Sequence, residues 1–254
     1  MILPRMPSLR LDNRRALITG ASRCIGLAGA AALAEAGAHV VLAAHGAGEL
    51  GESVAAIAAA GGSAEAMVLD VGDLAAAQAK IAAAGPFDIL FNNAGASRPK
   101  QMPAMDVDDF DHVMDINLRA AYFVAKAVAA GMVAAGRGGS IIHTSSQMGH
   151  VGGTDRTVYA ASKHVIEGLT KSMAIEPGPH NIRVNSIAPT FIPTELTKRT
   201  FADPERLAWI KSKIKLPGVG EVEDVMGAVL FLAGDASAMI TGASLLIDGG
   251  WRAG

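Results

Sequence analysis

Thr19-Gly20-Ala21-Ser22-Arg23-Cys24-Ile25-Gly26 is the stretch on which the fold turns. It follows a short apolar run, 16–19, and leads into an alanine-rich stretch with helical spacing, 25–36. A strand that passes through a tight glycine turn into a helix leaves free backbone N–H groups at the helix N-terminus, where the dipole favours a pyrophosphate. Gly20 supplies the turn and Gly26 the close approach of helix to strand. A glycine pattern alone is weak evidence. Its place between the first strand and first helix of a βαβ unit gives it weight.

Outward from this turn the same alternation repeats. Apolar, β-branched runs at 39–43, 64–69, 87–91, 140–144, 182–187 and 244–247 alternate with helical stretches at 47–60, 73–84, 106–135, 157–175 and 221–233. This order predicts successive βαβ units, a parallel sheet and helices on both faces. Strands buried on both faces read as nearly continuous apolar runs, as these do. Gly37, Gly61, Gly85 and Gly136 follow helical runs, where a left-handed cap is easiest for glycine. No repeat or linker divides the chain, so 1–254 is expected to be one domain. Residues 189–217 break the rhythm with Glu195, Lys198, Arg199 and an amphipathic stretch at 204–215. That excursion is either a lid over a site at the sheet's C-terminal edge or a surface loop with a short helix.

The chain carries 22 Lys+Arg against 24 Asp+Glu, a net charge of −2, which excludes a strongly basic nucleic-acid binder. Charges such as Glu35, Glu49, Lys126 and Asp224 interrupt the apolar runs, so no membrane span is expected. One cysteine excludes an internal disulfide framework and fits a reducing compartment, and the start lacks a secretory h-region. A cytoplasmic protein is the expectation. Met6 stands as an alternative start to Met1.

Three motifs carry a resemblance. The glycine turn, Asn92-Asn93-Ala94-Gly95 after the fourth strand, and Tyr159-Ala160-Ala161-Ser162-Lys163 together resemble the short-chain dehydrogenase/reductases. The likeness extends from the first strand to Asp248-Gly249-Gly250. It implies a Rossmann-type, doubly wound α/β fold with a mainly parallel seven-stranded sheet, and an NAD(P)-dependent oxidoreductase acting on a secondary alcohol or its ketone.

By that resemblance Gly20, Ser22, Arg23, Cys24, Ile25 and Gly26 surround the dinucleotide's phosphates, and Asp70 with Val71 meets the adenine. Asp70 also reads as a helix cap. Asn92, Asn93, Ala94 and Gly95 line the cofactor edge, while Pro189, Ile192 and Thr194 contact the nicotinamide end. The family usually has glycine where Cys24 stands, and a side chain there is expected to crowd the cofactor and weaken binding. Thr190 likewise replaces a usual glycine. An NAD-selective site carries an acid at the end of the second strand. That position is Ala44, with no carboxylate near it, whereas Arg23 and His45 offer positive charge. NADP(H) is therefore favoured over NAD(H), although both residues also read as solvated surface groups.

Tyr159 and Lys163 are four apart and share a helix face. Tyrosine ionises near pH ~10, so a neighbouring ammonium is needed to make it a proton-transfer group near neutrality. The family's serine stands thirteen residues before the tyrosine, which selects Ser146 and leaves Ser145 as its inactive neighbour. Asn117 corresponds to the fourth catalytic residue, which in relatives holds a water, and otherwise reads as an exposed helical asparagine. In the implied mechanism the substrate oxygen lies between Ser146 and Tyr159, Lys163 lowers the tyrosine's pKa and binds the nicotinamide ribose, and Asn117 relays protons.

No zinc motif occurs among the seven histidines, and no metal is expected. His150 reads as a substrate contact or as an exposed loop residue. Met102 and Met148 read as lining an adaptable apolar pocket or as gap-filling, and Trp209 and Trp251 as packing or subunit contact. Within the family, a 3-oxoacyl-thioester reductase and a sugar or polyol dehydrogenase remain alternatives; a non-catalytic cofactor sensor is the rival of another class. Alanine-rich faces on 106–135 and on the Tyr159 helix imply a homotetramer.

Overall fold

A computed structural model describes residues 1 and 3–254. The strands are β1 (Arg15–Thr19), β2 (His39–Ala44), β3 (Ser63–Val68), β4 (Ile89–Asn92), β5 (Gly139–Thr144), β6 (Ile182–Pro189) and β7 (Ser244–Ile247). They form one sheet in the order β3-β2-β1-β4-β5-β6-β7, and every pairing is parallel. The sheet among the described residues is thus wholly rather than mainly parallel. Strand order reverses between β1 and β4, so a crevice opens where Thr19 and Asn92 end their strands, the usual ligand position in such sheets. Central strands are buried along nearly their whole length, whereas the edge strands β3 and β7 are partly exposed.

Helices α1 (Cys24–Glu35), α2 (Ala47–Ala59) and α9 (Met226–Ala233) cover one face, where Leu33, Leu50 and Val229 pack on Ile18, Val40 and Phe91. Helices α3 (Leu74–Ala83), α5 (Ala121–Ala135) and α6 (Thr157–Ile175) cover the other, with Ile81, Val124, Val128 and Met132 against Leu17, Leu90 and Ile141. Each such side chain, fully buried, contributes ~1.5–3 kcal/mol. A Cβ added at Gly29 would fall on the Phe91 ring, which explains how closely α1 lies on the sheet.

The stretch expected as one helix over 106–135 has three parts. Asp106 caps α4 (Val107–Met114) by accepting the Asp109 N–H at 2.8 Å; a π-helical turn spans Asp115–Ala120; then α5 runs to the left-handed cap at Gly136. A π-turn widens the helix by one residue, a device that recurs at functional sites. By length and composition Val107–Ala135 is also apolar enough to cross a bilayer, which corrects the expectation that no run qualifies. Here it is a helix of the core, with Val124, Val128 and Met132 buried on the sheet side. The stretch at 221–233 likewise begins as a 3-10 turn, Val222–Val225, closed by a reciprocal Glu221/Asp224 capping box.

The excursion after β6 carries two short helices, α7 (Lys198–Phe201) and α8 (Pro204–Lys213). Ile210 anchors α8 in the interior. Trp209 on α8 meets Trp251 edge-on at 5.3 Å, and Trp251 lies 5.7 Å from Phe191, so the C-terminal tail packs against the excursion.

Candidate active site

The glycine turn is stitched to its neighbours by short polar side chains. Thr19 Oγ1 accepts the N–H groups of Asn93 (2.9 Å) and Ala94 (3.0 Å) and donates to Asn92 Oδ1. Asn93 Nδ2 donates to the carbonyls of Thr19 and Gly20, and its Oδ1 accepts from Thr144 Oγ1. Gly20 has φ +62°, and a Cβ at Gly26 would fall on the Gly20 carbonyl and 2.7 Å from Asn93 Nδ2. Only glycine leaves this cradle open. Cys24, where the expected pattern has glycine, adopts φ +51° despite carrying a side chain.

A cleft of about 930 Å³ opens above the turn, within the usual range for ligand sites. Every residue expected at the cofactor lines it: Gly20 to Gly26 at one end, His45, Asp70 and Val71 along one wall, and Asn93 to Gly95 in the middle. Tyr159, Lys163, Pro189, Ile192 and Thr194 stand at the far end. Asn92 is the exception. Its side chain turns into the core, donating to the Ala121 carbonyl at 2.7 Å, so its role is to join β4 to α5. Asp70 does not cap α3; it accepts the Gly72 N–H, and Asp73 is the cap. The glycine cradle, its helix N-terminus and the cleft's volume fit a dinucleotide: the turn would hold the pyrophosphate, Asp70 and Val71 the adenine, and Lys163 the distal ribose.

One acid near the second strand escaped the sequence. Glu49, in the first turn of α2, accepts from Ser22 Oγ at 3.0 Å and pairs with Arg23 at 3.1 Å. Because α2 starts directly after β2, its first turn folds back over the glycine turn and brings a carboxylate to the group expected to meet a 2′-phosphate.

At the other end Ser146, Tyr159 and Lys163 stand together. Ser146 ends the loop after β5, and its Oγ accepts the Met148 N–H. Lys163 Nζ donates to the Thr144 carbonyl at 2.7 Å, and burial lowers its pKa to about 8. Burial raises the pKa of Tyr159; a hydrogen bond with Ser146 and the charge of Arg156 act in the opposite direction. Arg156 is thus a cation beside the phenol, and the Lys163 ammonium sits over the ring, 5.7 Å from its centroid. Asn117, in the π-turn, is 1% exposed, not a surface residue. Its amide is fully engaged, accepting from Ala96 N–H (2.7 Å) and donating to Ala96 O (2.9 Å) and Ser162 Oγ (3.0 Å). Ser162 Oγ in turn donates to the Tyr159 carbonyl at 2.7 Å. Asn117 thus stands behind the cleft, locking the loop after β4 to the tyrosine's helix.

A recess of about 50 Å³ branches from the cleft at Ser146 and Tyr159. Arg156 and Gln147, the two ends of a polar loop whose character in the sequence accords with a sugar or polyol substrate, form much of its polar lining. Leu196 and Thr197 of the excursion border it as well, and Thr190 holds Gln147 by donating to its Oε1 at 3.0 Å. His150 faces away from this recess. Its Nε2 lies 2.9 Å from Ser244 Oγ and 3.4 Å from Glu167, whose carboxylate also accepts from Ser186, so it is half-buried structure and not an exposed loop residue. Ser145 lines the same cleft, buried and without a side-chain hydrogen-bond partner among the described residues. Among the described residues no three His, Cys, Asp or Glu side chains converge as metal ligands.

Residues 20–252 match the family model described as enoyl-(acyl carrier protein) reductase. A short-chain type dehydrogenase/reductase from Mycobacterium marinum is 37% identical and superposes with a TM-score of 0.92, covering 97% of this chain and 98% of that one. The chain is a short-chain dehydrogenase/reductase. D-erythrulose reductase of Gallus gallus is 38% identical over 245 residues, spanning 96% of this chain and 98% of its own length. A gluconate 5-dehydrogenase from Burkholderia cenocepacia, solved in complex with NADP and tartrate, is 36% identical with a TM-score of 0.93 over 97% of this chain and 98% of that one. As a short-chain dehydrogenase/reductase, the protein is an NAD(P)-dependent oxidoreductase acting on a CH–OH group.

Proposed function

We propose that the enzyme interconverts a secondary alcohol and a ketone on a polyhydroxylated, sugar-class substrate, with NADP(H) preferred over NAD(H). The observation that carries this reading is the meeting of Ser146, Tyr159 and Lys163 where the dinucleotide cleft joins a small polar recess. The sugar-reductase and gluconate-dehydrogenase names of its relatives support the substrate class. The recess suits a short hydroxylated chain better than a long acyl thioester. Arg23 and His45 at the cleft mouth, and the NADP bound by the Burkholderia enzyme, support the cofactor preference.

In the reductive direction the substrate carbonyl oxygen accepts hydrogen bonds from the Ser146 and Tyr159 hydroxyls. When bound, the nicotinamide supplies hydride chemistry at the adjacent carbon. Burial keeps Tyr159 protonated, so its phenol gives a proton to the developing alkoxide while Ser146 stabilises the charge. Arg156 and Lys163 then steady the phenolate. Asn117 holds the site's rear wall, and a proton relay through this residue uses its backbone, because its side-chain amide is engaged. Residues 189–217 act as a lid that borders the recess through Leu196 and Thr197. Exposed Phe110, Tyr122 and Val133 before and along α5, with Val165 and Ile175 on α6, support a homotetramer built on these helices, and the lone free cysteine fits a cytoplasmic location.

Titration with NADPH and NADH by cofactor fluorescence tests the preference; tighter NADH overturns it. On a panel of ketoses, Tyr159→Phe is expected to lose ~10²–10⁴-fold in kcat. Equal turnover by that variant overturns the acid–base assignment. Light scattering tests the tetramer, and a monomer refutes it.

A further inference from the structure

The recess beside Tyr159 holds hydrogen-bond donors that no carboxylate or carbonyl of the described residues satisfies. Arg156 is only 8% exposed, yet no carboxylate lies in ion-pair range of its guanidinium among the described residues. Its side-chain partners are two neutral hydroxyls, Ser97 Oγ at 3.1 Å and Thr200 Oγ1 at 3.3 Å. The adjacent Asp155 turns Oδ2 to Arg206 at 2.9 Å, and its Oδ1 is buried without a hydrogen-bond partner among the described residues. Burial lowers the pKa of Arg156, while the charge of Tyr159 and Asp155 acts in the opposite direction.

Gln147 is a second and independent sign. It is 1% exposed, its Oε1 is bound by Thr190, and its Nε2 has no hydrogen-bond partner among the described residues. Buried donors of this kind are nearly always paired, so one left over beside a buried guanidinium calls for an acceptor. Both residues line the same recess, with Ser146 and Tyr159 at its opening to the cleft. A group that accepts from both, and carries one negative charge to balance one guanidinium, is a carboxylate. The guanidinium fork matches its geometry. A phosphate monoester would bring close to two charges to a recess with one unpaired cation.

We propose that Arg156 and Gln147 form a carboxylate-binding subsite, so that the substrate is a polyhydroxylated acid and not a neutral sugar. This rests on the sugar-class reading above and adds its charge. Arg156 is one helical turn before Tyr159, and its bond to Thr200 on α7 places it between the excursion and the reacting centre. Binding the carboxylate would therefore orient the carbinol and engage α7 through a single side chain.

The test uses the full-length enzyme with NADP⁺ on D-gluconate, D-arabinonate and L-threonate, each against its amide, with neutral ketoses and polyols and with a sugar phosphate alongside. The readout is the ratio of kcat/KM for acid to that for amide, which a mere loosening of the excursion would lower for both members and leave unchanged. The expected ratio is about 100 or more in wild type, falling below about 10 in Arg156→Met, mostly through KM. Arg156→Lys, with charge but no fork, should fall between them and carries the comparison should the methionine variant not fold. A wild-type ratio near one, or a ratio untouched in both variants, overturns the subsite. Turnover of neutral sugars alone, or preference for the phosphate, overturns it while the sugar-class reading stands. Turnover of no polyhydroxylated compound while NADPH still binds overturns both.

Discussion

Replacing Cys24 by glycine should make the enzyme both more stable and tighter for its cofactor. Cys24 sits at φ +51°, in the left-handed region, at the start of α1 and on the wall of the dinucleotide cleft. A left-handed conformation costs an L-residue ~1–2 kcal/mol. Glycine removes that strain but loses roughly 0.5–1 kcal/mol through its freer unfolded state. The net gain is thus ~0.5–1 kcal/mol, which for a domain of this size raises Tm by about 1–4 °C. Removing Cβ and Sγ from the cleft wall relieves crowding of the pyrophosphate, and ~1 kcal/mol of relief tightens NADPH about fivefold. Cys24→Ala is the informative control, because it keeps both the Cβ and the positive φ. Thermal melts and fluorescence titrations of the two variants decide the matter. If glycine lowers Tm, or alanine matches glycine in Tm and Kd, then neither strain nor crowding at this residue operates.

Three other outcomes are expected. Glu49→Gln frees Arg23 for a 2′-phosphate and should tighten NADPH about two- to fivefold without affecting NADH, the scale of an exposed ion pair; parallel changes for both cofactors would refute this. Lys163, its pKa lowered to about 8 by burial, loses its charge as pH rises through that value, so the reductive rate should fall there, and a profile flat from pH 6 to 10 would count against a role for its charge. His143 is buried beneath the site with its pKa lowered to about 4, chiefly by desolvation. Its unfolded value is ~6.5, so acid protonates the unfolded chain first and stability should drop by up to ~3 kcal/mol between pH 6.5 and 4. Urea melts of His143→Asn across that range should show a shallower drop; an unchanged slope assigns the acid lability elsewhere.

Most of the fold was legible because its signals are local. Buried parallel strands are apolar throughout, and the glycine turn, the Tyr159–Lys163 spacing and the Ser146 offset lie within short windows. What escaped depends on segments far apart in sequence. A one-residue widening at Asp115–Ala120 leaves an alanine-rich helical pattern intact, and only the lock between Asn117 and Ala96 reveals its purpose. Glu49 was overlooked because the search for an acid stopped at the end of β2, whereas the chain returns one to the same place five residues later. Nothing in the sequence marks Arg156, at the end of the polar loop 147–156, as buried. Its burial is created jointly by Ser97, Thr200 and the wall of the recess. Cys24 was conspicuous as a residue out of pattern, but its positive φ is a property of the folded turn.

The pair Trp209 and Trp251 has a practical bearing. These are the chain's only tryptophans, and they touch edge to edge, one on the helix after β6 and the other three residues from the C-terminus. The tryptophan emission of the protein therefore originates at one contact, beside the segment that borders the substrate recess. A label-free optical probe of that segment is already built into the chain, and any affinity tag fused to the C-terminus would be attached almost directly to it.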